Sequence, residues 1–316
     1  MKYFAAAMVG AVSALTETEF AFLNYVTEFG KEYKTIEEYQ MRLENFKTAQ
    51  MEIIAHNESG EHTYTLGHNQ FSDWSREEYL SILTHREMPE EDKNFVTFDE
   101  ALGATHVDWR SKGVVQGIKD QKQCGSCWAF STVSALESTW AIKHGKLYSL
   151  AEQQLVDCDN NDGGCNGGLQ SRAFNYYKSH YAVLESNYTY TARNGTCKYS
   201  NMSKTSVKTT GYANVTAKSV SQMKSALSSR PLSVSIEADT SAFGRYSSGI
   251  FNNSNCGTRL DHATNVVGWG TSGSTDYWIM RNSWGKSWGE SGYMRIAIVD
   301  GVGICGIQKE PLYPLI

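Results

Sequence analysis

Cys127 stands in the run Gln121-Lys-Gln-Cys124-Gly-Ser-Cys127-Trp128-Ala-Phe-Ser, which opens onto Ala129, Val133, Leu136 and Trp140 at helical spacing. The pattern predicts a helix ending near Gly145, with Cys127 at or just before its N-terminus. Unpaired N–H groups and the helix dipole at that end favour a thiolate over a thiol, and the thiolate is the attacking species in nucleophilic catalysis. A histidine follows in Leu260-Asp-His262-Ala-Thr-Asn-Val-Val, 135 residues after Cys127, ahead of a β-rich run. An asparagine follows in Arg281-Asn282-Ser-Trp284, 155 residues after it, in an aromatic-rich stretch. Cysteine with histidine and asparagine so spaced is the pattern of a thiol nucleophile, its proton carrier and an orienting amide. By local sequence alone, Cys124 and Cys127 could also be a redox pair, half a zinc site or two structural cysteines. A redox motif usually places Trp before its first Cys, and no second ligand pair lies at zinc spacing.

The elements that must position these residues divide the chain. Residues 1–14 hold one basic residue, a short apolar stretch and small residues ending at Val12-Ser13-Ala14, which reads as a signal peptide. Six Asn-x-Ser/Thr sequons, at Asn57, Asn187, Asn194, Asn201, Asn214 and Asn252, agree with secretory routing. The chain has 316 residues, 41% hydrophobic and 20% charged, and no later apolar run approaches the roughly 18 residues of a membrane span. Its net charge of −5 argues against nucleic-acid binding. That value averages an acidic segment, 15–103, with 19 acidic and seven basic residues, and a basic segment, 104–316, with 15 acidic and 21 basic. We expect the acidic segment to dock on the basic one and to loosen when carboxylates protonate. All seven cysteines fall after residue 123. Seven is odd, so full oxidation leaves at least one thiol.

The acidic segment reads as helical. Thr16 and Glu19 form a capping box before Phe22, Val26 and Phe29, and Gly30 stops that helix. A longer helix is expected from about Ile36 to His56, with Glu38, Arg42, Phe46, Ile53 and Asn57 along one stripe. Alternation through Gly67-His-Asn69-Gln-Phe71-Ser-Asp73 suggests a short strand. The charged stretch 84–100 reads as an extended, protease-accessible linker.

On these residues the chain resembles the papain-like cysteine peptidases, in the cathepsin L-like branch with its inhibitory propeptide. The stripe from Glu38 to Asn57 matches that branch's propeptide helix motif, with Ala49 where Asn is usual. Gly67, Asn69, Phe71 and Asp73 match its second motif. The resemblance implies an α+β, two-lobed fold, helical and β-rich, behind a helical propeptide that crosses the cleft opposite to a substrate. It implies a signal peptide at 1–14, a propeptide at 15–103 and an endopeptidase at 104–316, made as a zymogen for a lysosome-like vacuole or for secretion.

The resemblance further implies acyl transfer through a Cys127 thioester, with His262 as acid and base and Asn282 orienting its ring. Gln121 and the Cys127 N–H would form the oxyanion hole, and Trp284 would shield the His262–Asn282 bond. The implied disulfides are Cys124–Cys165, Cys158–Cys197 and Cys256–Cys305, which leaves Cys127 free. Gly168 would pair with substrate backbone, and Leu169, Gln170, Ser235, Leu260, Ala263 and Glu310 would line the pocket for the residue two before the cut. Glu310 at its base suggests Arg there as well as Leu or Phe. A solvent-facing Glu310, or one paired with Lys309, would remove that second preference. No cofactor or metal is implied, and the partners are protein and peptide substrates and the chain's own propeptide, acting on a monomer. Two rival readings are an inert binding or inhibitory homologue and a thiol–disulfide oxidoreductase. The fingerprint-like Gly268-x-Gly270-x-x-Gly273 leads into a strand-like run rather than a helix, so dinucleotide binding is set aside.

Overall fold

The computed structural model describes residues 15–99 and 106–316. The expected signal peptide and the junction at 104 lie outside them. The acidic segment opens with helix Glu17–Glu28, carrying the Thr16–Glu19 capping box, and helix Ile36–Ser59, closed by left-handed Gly60. Phe22, Tyr25, Leu43 and Phe46 make a small core between the two helices.

The strand expected at 67–73 lies earlier, at Tyr64–Leu66. Residues 67–73 turn instead, because the Asn69 side chain accepts from the Phe71 N–H at 3.0 Å and its own N–H donates to Ser72. An Asx turn of this kind competes directly with strand pairing.

The basic segment forms two lobes. Helices Cys127–His144, Glu152–Cys158 and Gln170–Ser179 make one, around Trp128, Val133, Leu136, Leu155, Phe174 and Tyr177. The other is built on a mixed sheet. Its spatial order is Tyr64–Leu66, Tyr246–Phe251, Tyr293–Ala297, Thr275–Arg281, His262–Ser272, Leu232–Ile236, Leu312–Leu315, Gly211–Val215 and Phe95–Val96. Strands of the acidic segment therefore occupy both ends of the sheet. The α+β, two-lobed reading of the sequence is the architecture observed.

The Cys127–His144 helix is not amphipathic as expected. Every residue from Cys127 to Thr139 is buried, including Ser131, Thr132, Ser134 and Glu137. One side packs in the helical lobe, and the other lies on the sheet, where small hydroxyl residues permit close approach. Ser131 Oγ donates to the Thr264 carbonyl at 2.6 Å, and Asn265 donates to the Ser131 carbonyl at 2.9 Å.

Gly268 and Gly270 sit within strand His262–Ser272, and the carbonyl of Val107 approaches where a Gly268 Cβ would stand. Sheet packing, not a nucleotide, accounts for the glycine there.

Candidate active site

Cys127 opens the central helix, and His262 opens the strand lashed to it by Ser131, Thr264 and Asn265. Those bonds pack the first turns of the helix on the opening residues of the histidine strand. Asn282 follows directly on the neighbouring antiparallel strand, in which Asn265 pairs with Arg281. That register carries His262 back to Asn282, whose Oδ1 lies 2.8 Å from His262 Nε2. Nδ1 is buried with no hydrogen-bond partner among the described residues, and it is the nitrogen left for proton exchange with sulfur. Trp284 is fully buried and stacks on the imidazole with ring centroids 4.6 Å apart.

Gln121 is positioned by Ser283, whose hydroxyl donates to Gln121 Oε1 at 2.7 Å. The Gln121 amide then donates to the Cys124 carbonyl at 3.0 Å and faces the Ile82 carbonyl at 3.4 Å. Disulfides Cys124–Cys165, Cys158–Cys197 and Cys256–Cys305 are formed, and Cys127 is the free cysteine. The first ties the Cys127 loop to the Gly163–Gly168 loop, and Trp128 Nε1 donates to Gly164 from the same side.

The chain's own segment fills the cleft, and its order fixes the direction. Phe71 and Tyr79 pack edge-on against Trp284. Thr84 donates to the Gly125 carbonyl, and its own carbonyl lies where a Cβ on left-handed Gly167 would stand. His85 Nδ1 lies 3.2 Å from the Gly168 carbonyl, and the His85 N–H donates to the Asp261 carbonyl. Met88 then enters a recess against Ala135, Phe174 and Leu312, and its N–H donates to Glu310. The expected accessible linker is thus buried at His85 and Met88, which are 4% and 3% exposed. Its high charge concealed one apolar contact, at Met88, and one buried histidine, at His85.

Leu169, Ser235, Leu260, Ala263 and Glu310 are all buried, with Ser235 paired to Ala263 across the sheet and Glu310 the one of them that Met88 meets through a hydrogen bond among the described residues. The Gln170 amide spans the lobes to Ser235 Oγ at 3.3 Å. Glu310 neither faces solvent nor pairs with Lys309. It accepts from Met88 and lies 3.4 Å from Lys93 Nζ, whereas Lys309 pairs with Glu87.

Electrostatics differ from the sequence expectation in two respects. Burial pushes the Cys127 thiol up to about 12, against hydrogen bonds from nearby backbone, and holds His262 down at about 4, against the bond to Asn282. In the covered cleft burial thus works against both charged forms, in opposition to the helix N-terminus that favours thiolate. Nor is the docking a simple acidic-on-basic contact. Among the described residues, Glu52–Arg245 and Glu87–Lys309 run in the expected sense, while Arg76–Asp239 and Lys93–Glu310 run in the opposite one.

Sequence reasoning missed Thr84, His85, Met88 and Lys93 as the groups that plug the cleft, and Ser283 as the holder of Gln121. The first four lie in no spaced motif, and only the position of 84–93, between a helical segment and the first cysteine, could have pointed to them; Ser283 stands next to Asn282 in the run that carries it.

Comparison with known proteins gives two family matches: "Papain family cysteine protease" over residues 103–315 and "Cathepsin propeptide inhibitor domain (I29)" over residues 22–79. Digestive cysteine proteinase 1 of Homarus americanus is 40% identical over 299 residues, covering 92% of each chain. Among solved structures, a recombinant stem bromelain precursor is 37% identical with a TM-score of 0.89, covering 95% of this chain and 99% of that one. Digestive procathepsin L 3 of Tenebrio molitor is 35% identical with a TM-score of 0.86, covering 96% and 100%.

Proposed function

The chain belongs to the papain family of cysteine proteases and is a zymogen cysteine endopeptidase; from that premise we propose how its own residues carry out and direct the cleavage. Cys127 is the nucleophile, and the reading rests on one observation: the free cysteine opens a helix packed on the strand that His262 begins, and Asn282 holds one nitrogen of that histidine.

Once the cleft opens to water, desolvation of Cys127 and His262 falls away. The helix N-terminus and the adjacent imidazole then favour the thiolate–imidazolium pair. Sulfur attacks the scissile carbonyl, the imidazolium protonates the leaving amine, and the thioester forms. His262 then takes a proton from water as its oxygen adds to the thioester carbonyl, and the C–S bond breaks, which frees the acid product and restores the Cys127 thiolate beside the imidazolium. Asn282 keeps the ring turned so that Nδ1 serves both steps, and buried Trp284 keeps water from that bond. The Gln121 amide and the Cys127 N–H stabilise the oxyanion.

Substrate backbone lies along Gly168. The recess of Leu169, Gln170, Ser235, Leu260, Ala263 and Glu310 takes the side chain two residues before the cut. It accepts Leu or Phe on its apolar walls and Arg where ionised Glu310 receives a guanidinium. Segment 15–103 is the removable inhibitor, cut near Ala104. The enzyme works in a secretory-pathway compartment, an acidic vacuole or the exterior. Exposed Asn187, Asn201 and Asn252 are its glycan acceptors, since Asn214 is buried and Asn57 and Asn194 are hydrogen-bonded within the fold. Comparing Phe-Arg and Arg-Arg dipeptide substrates on the processed enzyme tests the pocket. Cleavage of both is expected, and cleavage of Phe-Arg alone removes the arginine preference.

A further inference from the structure

Beyond Met88 the propeptide does not leave the enzyme. It turns once at Glu90–Asp92, and Phe95–Val96 then adds to the edge of strand Gly211–Val215 as a parallel strand. The Asn214 N–H donates to the Asn94 carbonyl at 2.7 Å, the Asn94 N–H donates to Asn214 Oδ1 at 3.0 Å, and the Thr216 N–H donates to the Val96 carbonyl at 3.3 Å. Gln222 then clamps Phe98 from both sides, accepting from its N–H at 2.7 Å and donating to its carbonyl at 2.9 Å. Side chains contribute little here, as Phe95 and Val96 are 47% and 36% exposed. The seat reads backbone, so it accepts many sequences.

On its other side Gly211–Val215 is paired with Leu312–Leu315. Removal of the propeptide therefore leaves one edge of the sheet with open N–H and C=O groups, continuous with the cleft through the Glu310 recess. An open edge of this kind is a template for another strand.

We propose that this edge is an extended-substrate site of the processed enzyme, which binds the peptide N-terminal to the cut by strand addition. The direction follows from the propeptide. That segment runs from Gln121 to Glu310 to Asn214 and pairs parallel, whereas a substrate enters the same cleft with opposite polarity. Its N-terminal extension therefore reaches Gly211–Val215 antiparallel, the better-paired arrangement. The fitting partner is an unfolded or loosely structured polypeptide rather than a short peptide. The proposal rests on the reading that Glu310 lies at the pocket two residues before the cut.

The test measures binding without cleavage, so that it does not depend on the catalytic reading. Enzyme processed from the full chain is capped at Cys127 as a methyl disulfide. Fluorescent peptides ending at the cut are then compared, one of three residues and one extended by about ten residues of strand-forming sequence. The long peptide is expected to bind about tenfold more tightly, the worth of one or two net backbone hydrogen bonds. Methylating alternate amides of the extension abolishes the gain in one register and spares it in the other. Gln222→Ala lowers the long-to-short ratio. Equal affinity of the two peptides, or a gain indifferent to methylation in both registers, overturns the proposal.

Discussion

The backbone N–H of Met88 donates to both carboxylate oxygens of Glu310, at 3.0 and 3.2 Å, and the Lys93 ammonium stands 3.4 Å from the same group. The propeptide thus satisfies a buried carboxylate with one amide and one cation, in the recess assigned to substrate. Once the propeptide is gone, that carboxylate needs another donor.

Glu310→Ala is expected to lower kcat/KM for an Arg-Arg substrate about 10- to 100-fold, the worth of a charged hydrogen bond, while leaving Phe-Arg within about twofold. Burial raises the carboxyl above the ordinary glutamate range. That burial is the propeptide's; in the processed enzyme the open cleft and a bound guanidinium favour the charged form, so Arg-Arg cleavage falls relative to Phe-Arg only once acidification protonates the carboxylate. An Arg-Arg to Phe-Arg ratio unchanged by the mutation would contradict this role.

Ser283 holds Gln121, whose amide the proposed mechanism assigns to the oxyanion. Gln121→Ala should reduce kcat by about 10²–10³ with little change in KM, because the donor acts on charge that develops in the transition state. Steady-state kinetics on a dipeptide substrate check this. A raised KM with normal kcat would recast Gln121 as a ground-state contact.

His85 supplies a pH response to the plug. It is buried between the Gly168 carbonyl and the His262 segment, and burial holds it down at about 3. Freed from the cleft it would titrate near 6.5. The released state then binds the extra proton, so docking is strongest above about pH 6.5 and weakens, by up to about 1.4 kcal/mol per pH unit, as pH falls toward 3. His68, held down at about 4 chiefly by burial, packs on Tyr25 and Phe46 of its own segment and so weakens that segment's fold, rather than its docking, as pH falls. His85→Phe should flatten the rise in self-processing rate between pH 6.5 and 4. Equal slopes for variant and parent exclude His85 as the sensor.

Asp73 organises the propeptide. Tyr25 and Lys31 donate to its Oδ1 and Tyr33 to its Oδ2, at 2.7 to 2.8 Å. Asp73→Ala strands a buried phenol and a half-buried ammonium, at a cost of about 3–5 kcal/mol. Premature activity at neutral pH is expected, together with faster proteolysis of the helical segment in a Cys127→Ala background. A variant as latent as its parent would show that the cluster is dispensable.

The residues proposed as catalytic were legible as candidates because chemistry limits their types, and their spacing survives in one dimension. The helix starts at Thr16 and Ile36 were legible because caps and periodicity are local. The turn at 67–73 was misread as a strand because alternation says nothing of the Asn69 side chain's bond to its own backbone. Met88 could not be found at all. What makes it a plug is a partner 222 residues away, reached only after the lobes close. The same holds for Phe95–Val96, a strand only because Gly211–Val215 offers an edge. The even burial of the Cys127 helix, likewise, is a property of two lobes meeting on it.

The account turns on Cys127 being a nucleophile that the propeptide keeps covered. Treating the protein with a thiol-directed epoxide, before and after acid processing, and measuring intact mass tests this most directly. One label at Cys127 in the processed form, with loss of peptidase activity in proportion, and no label in the unprocessed form at neutral pH is the expected result. An active processed enzyme that takes no label at Cys127, or a precursor labelled as fast as the processed form, would contradict it.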